Sequence, residues 1–369
     1  MNKKITVSYK IINVIFFIIL CSIVLFFVFC VEIFYKKEFI RSKIYGFSER
    51  ELKLYLLKNN EVNNVIIGPS SSTTMSPDVF NHYKINKKGF QTNDEFEVSK
   101  AKNLNLSIGG GTIKEFYSYI DFLTKNHKTK SIVLNLRIQS FKDGFDFKNM
   151  PIDFSRSLDE FSLLVSFQNF LEKNLSEIFS SSKVKFVLKK FFLKEHDFKD
   201  AYNKNKTEEE YLYKGIRYYP DFFLTNTSKV SSSKNIREKT INLDELDVNL
   251  SKNFKYIKKI IDLCNTYNID LFIVFDPLAI NKLSYDNYSY QKKEIELIKL
   301  ILDIYPEVYY FNNHNQINNE LNFFPHDWVH YNYEAANIVL NEVLSGDLKN
   351  GIRLNKEKLI LLENKLFTN

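Results

Sequence analysis

Five short runs of this chain read as strands, and most are separated by stretches with helical spacing. They cover 63–67, 104–108, 131–136, 270–275 and 308–311; apart from 104–108, which alternates, each is apolar or nearly so on consecutive residues once past the Asn63-Asn64 start of the first. A strand wetted on one face alternates apolar with polar, whereas a strand apolar on both faces belongs inside a parallel sheet covered by helices. Between the runs, Ile113, Phe116, Tyr117, Ile120 and Leu123 fall on one helical stripe, as do Phe254, Ile257, Ile260, Ile261 and Cys264. Residues 288–305 and 334–344 predict two further helices. Ser76-Pro77-Asp78 predicts another helix start, with Ser at the N-cap and Pro at the first position. Residues 63–136 therefore predict strand, loop, helix, strand, glycine loop, helix, strand. This is the alternation of a parallel α/β sheet.

The alternation stops at 140 and resumes at 250. The intervening 140–249 carries aromatic helical patches in Ser- and Lys-rich sequence and predicts a mainly helical insertion or cap, with a flexible part at 228–239. The sheet domain is thus expected from 61–139 together with 250–348, followed by a helical tail at 349–369. Upstream, 36–60 predicts a juxtamembrane helix, and 1–35 a short tail and an anchor. Ile11 to Val31 is nearly all Ile, Val, Leu and Phe, enough for a helix to cross the ~30 Å hydrocarbon layer. A cleaved signal peptide would have a shorter apolar region ending in small residues, but this one ends in Phe29-Cys30-Val31-Glu32. Basic residues flank both ends, Lys3, Lys4 and Lys10 before and Lys36, Lys37, Arg41 and Lys43 after, so the positive charges are close to balanced. A short tail with no other span leaves the N-terminus inside, which puts residues from about 40 onward outside the cytoplasm.

Composition excludes several classes. The net charge of +7 over 369 residues is spread along the chain with no nucleic-acid-binding motif, so no nucleic-acid partner is expected. Of three cysteines, Cys21 and Cys30 lie in the apolar run and Cys264 is alone on a helix face. That pattern predicts neither a disulfide framework nor a metal site, and no cofactor motif accompanies it. The 34 Phe and 22 Tyr supply ample core material.

Chemistry concentrates where strands end. The first strand stops at Gly68-Pro69 and passes into Ser70-Ser71-Ser72-Thr73, the second into Gly109-Gly110-Gly111, and the last into a loop carrying Asp327 and His330. Ligands of parallel sheets sit at the carboxyl ends of strands. A hydroxyl nucleophile needs an imidazole to take its proton and an acid to orient that ring. Backbone N–H groups of a glycine loop are suitable oxyanion donors. Each feature also has a plainer reading. Serines after a strand satisfy turn backbone, glycines allow a tight turn, and Asp276 either touches the site or only caps a strand end before Pro277.

In the order and placement of these blocks, the chain resembles the SGNH (GDSL-like) hydrolase superfamily. The match consists of Gly68-Pro69-Ser70, Gly110, and the D-x-x-H of Asp327-Trp328-Val329-His330. It is similar to the membrane-tethered type, which includes the D-alanyl-lipoteichoic-acid transfer protein and alginate O-acetyltransferase-like proteins. The resemblance implies a three-layer flavodoxin-like sheet, with Ser70 as nucleophile, His330 as base and Asp327 as its orienter. The oxyanion donors it implies are N–H groups of Ser71 (or Ser70) and Gly110. It also implies a bacterial envelope protein working with a multi-span membrane acyltransferase on a surface glycan. Two positions depart from the pattern. Pro69 replaces the usual acidic residue, and the G-x-N-D block is absent, with Leu134-Asn135-Leu136-Arg137 at the corresponding strand end. Asn135 and Arg137 are therefore the candidates for a third oxyanion donor. Ser71 and Ser72 are rivals of Ser70. The expected function is a serine acyltransferase or esterase, with a non-catalytic scaffold or binding component of a surface-glycan machine as the alternative.

Overall fold

In the computed structural model of the chain, the described residues are 49–86, 89–92, 102–142, 249–279, 288–313, 315–320, 323–324 and 330–367, with 14–17, 19 and 22 near the N-terminus. The insertion at 140–249 lies outside them except for 140–142 and 249, and so does most of the apolar span 11–31. Among the described residues no helix is long and apolar enough to cross a membrane. The chain divides into two compact units, Met1–Phe47 with Leu163–Glu209, and Ser48–Ser162 with Glu210–Asn369. The second unit carries the sheet and everything discussed below.

This unit is α/β. Helix α1 (Glu49–Asn59) leads into β1 (Val62–Ile67), two 3-10 segments (Ser70–Thr74 and Pro77–His82), and a small hairpin of β2 (Tyr83–Asn86) with β3 (Gly89–Thr92). Then come β4 (Lys102–Asn105), α2 (Ile113–Asn126) and β5 (Ser131–Leu136). After the insertion follow α3 (Leu250–Thr266), β6 (Asp270–Phe275), α4 (Tyr288–Leu302), β7 (Val308–Tyr310), a single turn α5 (Gln316–Asn319), α6 (Tyr333–Ser345), β8 (Ile352–Leu354) and α7 (Lys356–Phe367). The six-stranded sheet runs β4-β1-β5-β6-β7-β8, parallel throughout except for β8, which pairs antiparallel with β7. Chain order reverses direction at β1, whose neighbours are β4 and β5, so the crevice at its carboxyl end is the switch point where such sheets bind ligands.

Consecutive side chains of a strand point to opposite faces, and the apolar runs fill both. Val65, Ile67, Ile132, Leu134, Leu136, Ile273 and Phe275 join one buried core with residues of α1, α2, α3, α4 and α7. Ile66, Val133, Phe272 and Val274 join a second core with α6, Val79 and Phe80. Asn64, on the amino-terminal half of β1, is explained by its partners. It donates to Asn103 Oδ1 at 2.8 Å and accepts from Ser131 Oγ at 2.7 Å, tying three strands at their amino ends.

Three predicted elements differ. The strand expected at 104–108 is β4 at Lys102–Asn105. The helix expected at Ser76-Pro77-Asp78 is a six-residue 3-10 segment followed by the β2–β3 hairpin. Ser76 Oγ does accept from Asp78 N–H at 3.3 Å, but the turn-forming Asn86 and Gly89 convert the continuation into paired strands. The tail expected to be helical begins with β8, because Glu342 of α6 takes the N–H groups of Asn350 and Gly351 and turns the chain back against β7. That pairing depends on a carboxylate of the preceding helix, on a residue that also reads as an ordinary helix position.

Candidate active site

The site lies where β1 and β4 end side by side. Their parallel ladder continues past both strands, with Leu106 N–H on Ile66 O at 2.7 Å and Ile108 N–H on Gly68 O at 2.9 Å. Ser70 and Gly110 each lie two residues beyond that last bonded pair, so the serine turn and the glycine loop leave the sheet together. Gly110 holds φ +65°, a left-handed conformation that favours glycine, and is exposed. Gly68 answers a different need. A Cβ there would stand 2.3 Å from Ser72 Oγ and 2.7 Å from Asn135 Cβ, so only glycine lets the turn pass this close to β5.

Ser70 opens the first 3-10 segment. The Pro69 before it has φ −74°, the value its ring imposes, and its carbonyl accepts from Ser72 N–H at 3.2 Å and Ser72 Oγ at 2.9 Å. Thr73 Oγ1 donates to Ser70 O at 2.6 Å. From β4, the buried Asn105 Nδ2 donates to the carbonyls of Ser72 and Met75, each at 2.8 Å, while its Oδ1 accepts from Ser107 N–H at 2.9 Å. The turn is thereby fixed on both sides. Its hydroxyls have separate partners: Ser72 is fully buried on Pro69, Ser71 is buried on Asp276, and half-buried Ser70 faces His330.

His330 Nε2 and Ser70 Oγ are 2.7 Å apart, across 260 residues of sequence. The base is held by the segment leading into α6. Asn332 caps that helix by accepting from Ala335 N–H at 2.9 Å, and its own N–H donates to Phe323 O at 2.7 Å. The Tyr331 ring packs edge-on against Phe324. Thr74 Oγ1 donates to Tyr331 O at 3.4 Å, linking the base's segment to the serine turn. A hydroxyl within 2.6–3.2 Å of an imidazole nitrogen can pass its proton to that ring while attacking a carbonyl carbon. Asp327, the third member of the expected triad, lies outside the described residues, as does Trp328.

Beneath the pair is a buried carboxylate. Asp276, at the end of β6, accepts from Ser71 Oγ at 2.5 Å and from Tyr331 OH at 2.9 Å. Arg137 Nε stands 3.5 Å from the same carboxylate, and Arg137 Nη2 donates to Pro277 O at 3.5 Å. Burial pushes the Asp276 carboxyl above its ordinary range, opposed by Arg137 and the two hydroxyls, all of which favour the charged form. On α4, Glu294 accepts from Asn312 Nδ2 at 3.0 Å, and burial pushes its carboxyl up to about 7.

The remaining expected residues fall as follows. Ser71 follows the nucleophile position directly, and its N–H and that of Ser70 take part in no backbone hydrogen bond among the described residues. Asn135 is fully buried, with Nδ2 donating to Met75 Sδ at 3.4 Å and Oδ1 unpartnered among the described residues. Arg137 is turned to Asp276. Asn105, Thr74 and Tyr331 were not singled out from sequence. A polar residue between Leu104 and Leu106 was the available signal for the first, and the others carry none. Among the described residues no group of acids, histidines and cysteines has the arrangement of a metal site. Neither a family model nor a curated protein matches the chain.

Proposed function

We propose that the chain is a membrane-anchored, extracytoplasmic serine acyltransferase or esterase of SGNH-like, flavodoxin-like fold, acting on O-acyl groups of a cell-surface polysaccharide. The observation that carries this reading is the 2.7 Å contact between Ser70 Oγ and His330 Nε2 at the carboxyl edge of a mostly parallel sheet. The order of the parallel strands, second-first-third-fourth-fifth in the chain, supports the flavodoxin-like part.

In this mechanism Ser70 Oγ attacks an ester or thioester carbonyl carbon as its proton passes to His330 Nε2. The oxyanion receives hydrogen bonds from the N–H groups of Ser71 (or Ser70) and Gly110. Asp327 holds the imidazolium. His330 then protonates the leaving oxygen or sulfur, and the acyl group stays on Ser70. A glycan hydroxyl, or water, gives its proton to His330, attacks the acyl-serine and regenerates the free hydroxyl. A multi-span membrane acyltransferase would supply the acyl group.

The experiment is hydrolysis of a chromogenic acetyl ester by the full chain in detergent. Wild-type protein should turn over, and Ser70→Ala and His330→Ala should each lose at least about a hundredfold in kcat/KM. Turnover equal in all three would contradict the proposal. The engagement of Asn135 by Met75 and of Arg137 by Asp276 favours a second reading, a non-catalytic scaffold or binding component of a surface-glycan machine. Glycan binding without ester turnover would select it.

A further inference from the structure

Asp276 is buried and negatively charged when ionised, and its surroundings do not fit a strand-end cap. A cap engages neighbouring backbone. Asp276 instead takes hydrogen bonds from side chains 205 and 55 residues away, one on each oxygen. Those donors are the residues immediately after the two that meet across the site, Ser71 after Ser70 and Tyr331 after His330. Both are buried to within 1% of full burial, so neither arm is a surface contact that solvent readily replaces.

We propose that Asp276 is a positioning residue that sets the Ser70–His330 separation by clamping the residue next to each. The inference rests on the reading of Ser70 as nucleophile and His330 as base. The clamp is rigid because the carboxylate directly follows β6, an interior strand of the sheet between β5 and β7. Arg137, at the end of β5, flanks the carboxylate and donates to the carbonyl of Pro277 beside it. The second tie between the two segments, Thr74 Oγ1 on Tyr331 O, keeps them adjacent but constrains neither side chain that carries the chemistry. Asp276 touches no reacting atom, so its effect reaches the reaction only through geometry.

The experiment measures Ser70 labelling by a fluorophosphonate, and kcat and KM for a chromogenic acetyl ester, on the full chain in detergent. Ser71→Ala and Tyr331→Phe each cut one arm while leaving the carboxylate in place. Each should slow labelling and lower kcat by about tenfold with KM unchanged, because sub-ångström misplacement costs rate and not binding. In an Asp276→Ala background, which removes both acceptors, adding either substitution should cost less than about twofold, since the arm it removes is already gone. Ser71→Ala and Tyr331→Phe both labelling within about twofold of wild type would overturn the inference, as would losses confined to KM. So would undiminished tenfold losses in the Asp276→Ala background. If Asp276→Ala does not fold, the two single-arm variants decide alone. Wild-type labelling no faster than that of Ser70→Ala defeats the nucleophile reading and this inference with it. Ser70-dependent labelling that ignores the arms defeats the inference only.

Discussion

Removing the Asn105 side chain tests how the serine turn is held. Asn105→Ala deletes one amide that serves three buried backbone groups: the carbonyls of Ser72 and Met75, each at 2.8 Å, and the N–H of Ser107 at 2.9 Å. Asn105 is fully buried, so water cannot take its place without opening the structure. The Ser72 carbonyl keeps the Met75 N–H at 3.2 Å, so two groups are left without a partner, and at about 1–3 kcal/mol each they place the loss at roughly 2 kcal/mol or more. Alanine also leaves a cavity, which adds to the loss. Asn105→Asp separates the two sides of the amide: it keeps the acceptor for Ser107 but faces two carbonyls with a carboxylate, so it should be no better than alanine. The assay is urea unfolding of the full chain in detergent, followed by circular dichroism, with fluorophosphonate labelling of Ser70 alongside. The account expects the stability loss together with slower labelling under native conditions. A loss below about 1 kcal/mol, with labelling unchanged, would refute the claim that Asn105 holds the turn.

Gly68→Ala should destabilise by about 2 kcal/mol or more, because the new methyl meets Ser72 Oγ at 2.3 Å and Asn135 Cβ at 2.7 Å and only the serine can swing aside. Differential unfolding against wild type reads it, and a neutral result would mean that the β1–β5 approach is looser than described. Glu294 gives a pH dependence of definite sign. Its folded value, near 7, lies above the ordinary 4.5, so the unfolded chain loses this proton first and stability falls as pH rises from about 4.5 through about 7. The fall is on the order of 3 kcal/mol, and Glu294→Gln should flatten it in unfolding measured across that window. An unchanged slope would remove Glu294 from the account.

What was legible in the sequence follows from how local each cause is. The strands at 131–136 and 270–275 read correctly because burial on both faces demands mostly apolar residues, a property of the strand itself. Ser70 and His330 could be paired from afar because strand ends in a parallel sheet gather at one edge. Sheet order was not legible from the residues themselves, since it depends on which strand each crossover reaches, and only the resemblance implied one. Neither was the double use of Asp276, whose sequence neighbours offer a sufficient local role before Pro277 while its real partners come from two other loops. The β8 strand was missed for the same reason, because it exists through its pairing with β7 and not through its own composition.

The central claim is that Ser70 is a nucleophile activated by His330, and the most direct measurement is the site of covalent attachment of a fluorophosphonate, read by peptide mass spectrometry. The account predicts phosphonylation at Ser70 in the wild type, none at that position in Ser70→Ala, and labelling slowed at least about a hundredfold in His330→Ala. Attachment at Ser71 or Ser72 instead, or equal labelling with and without His330, would contradict it.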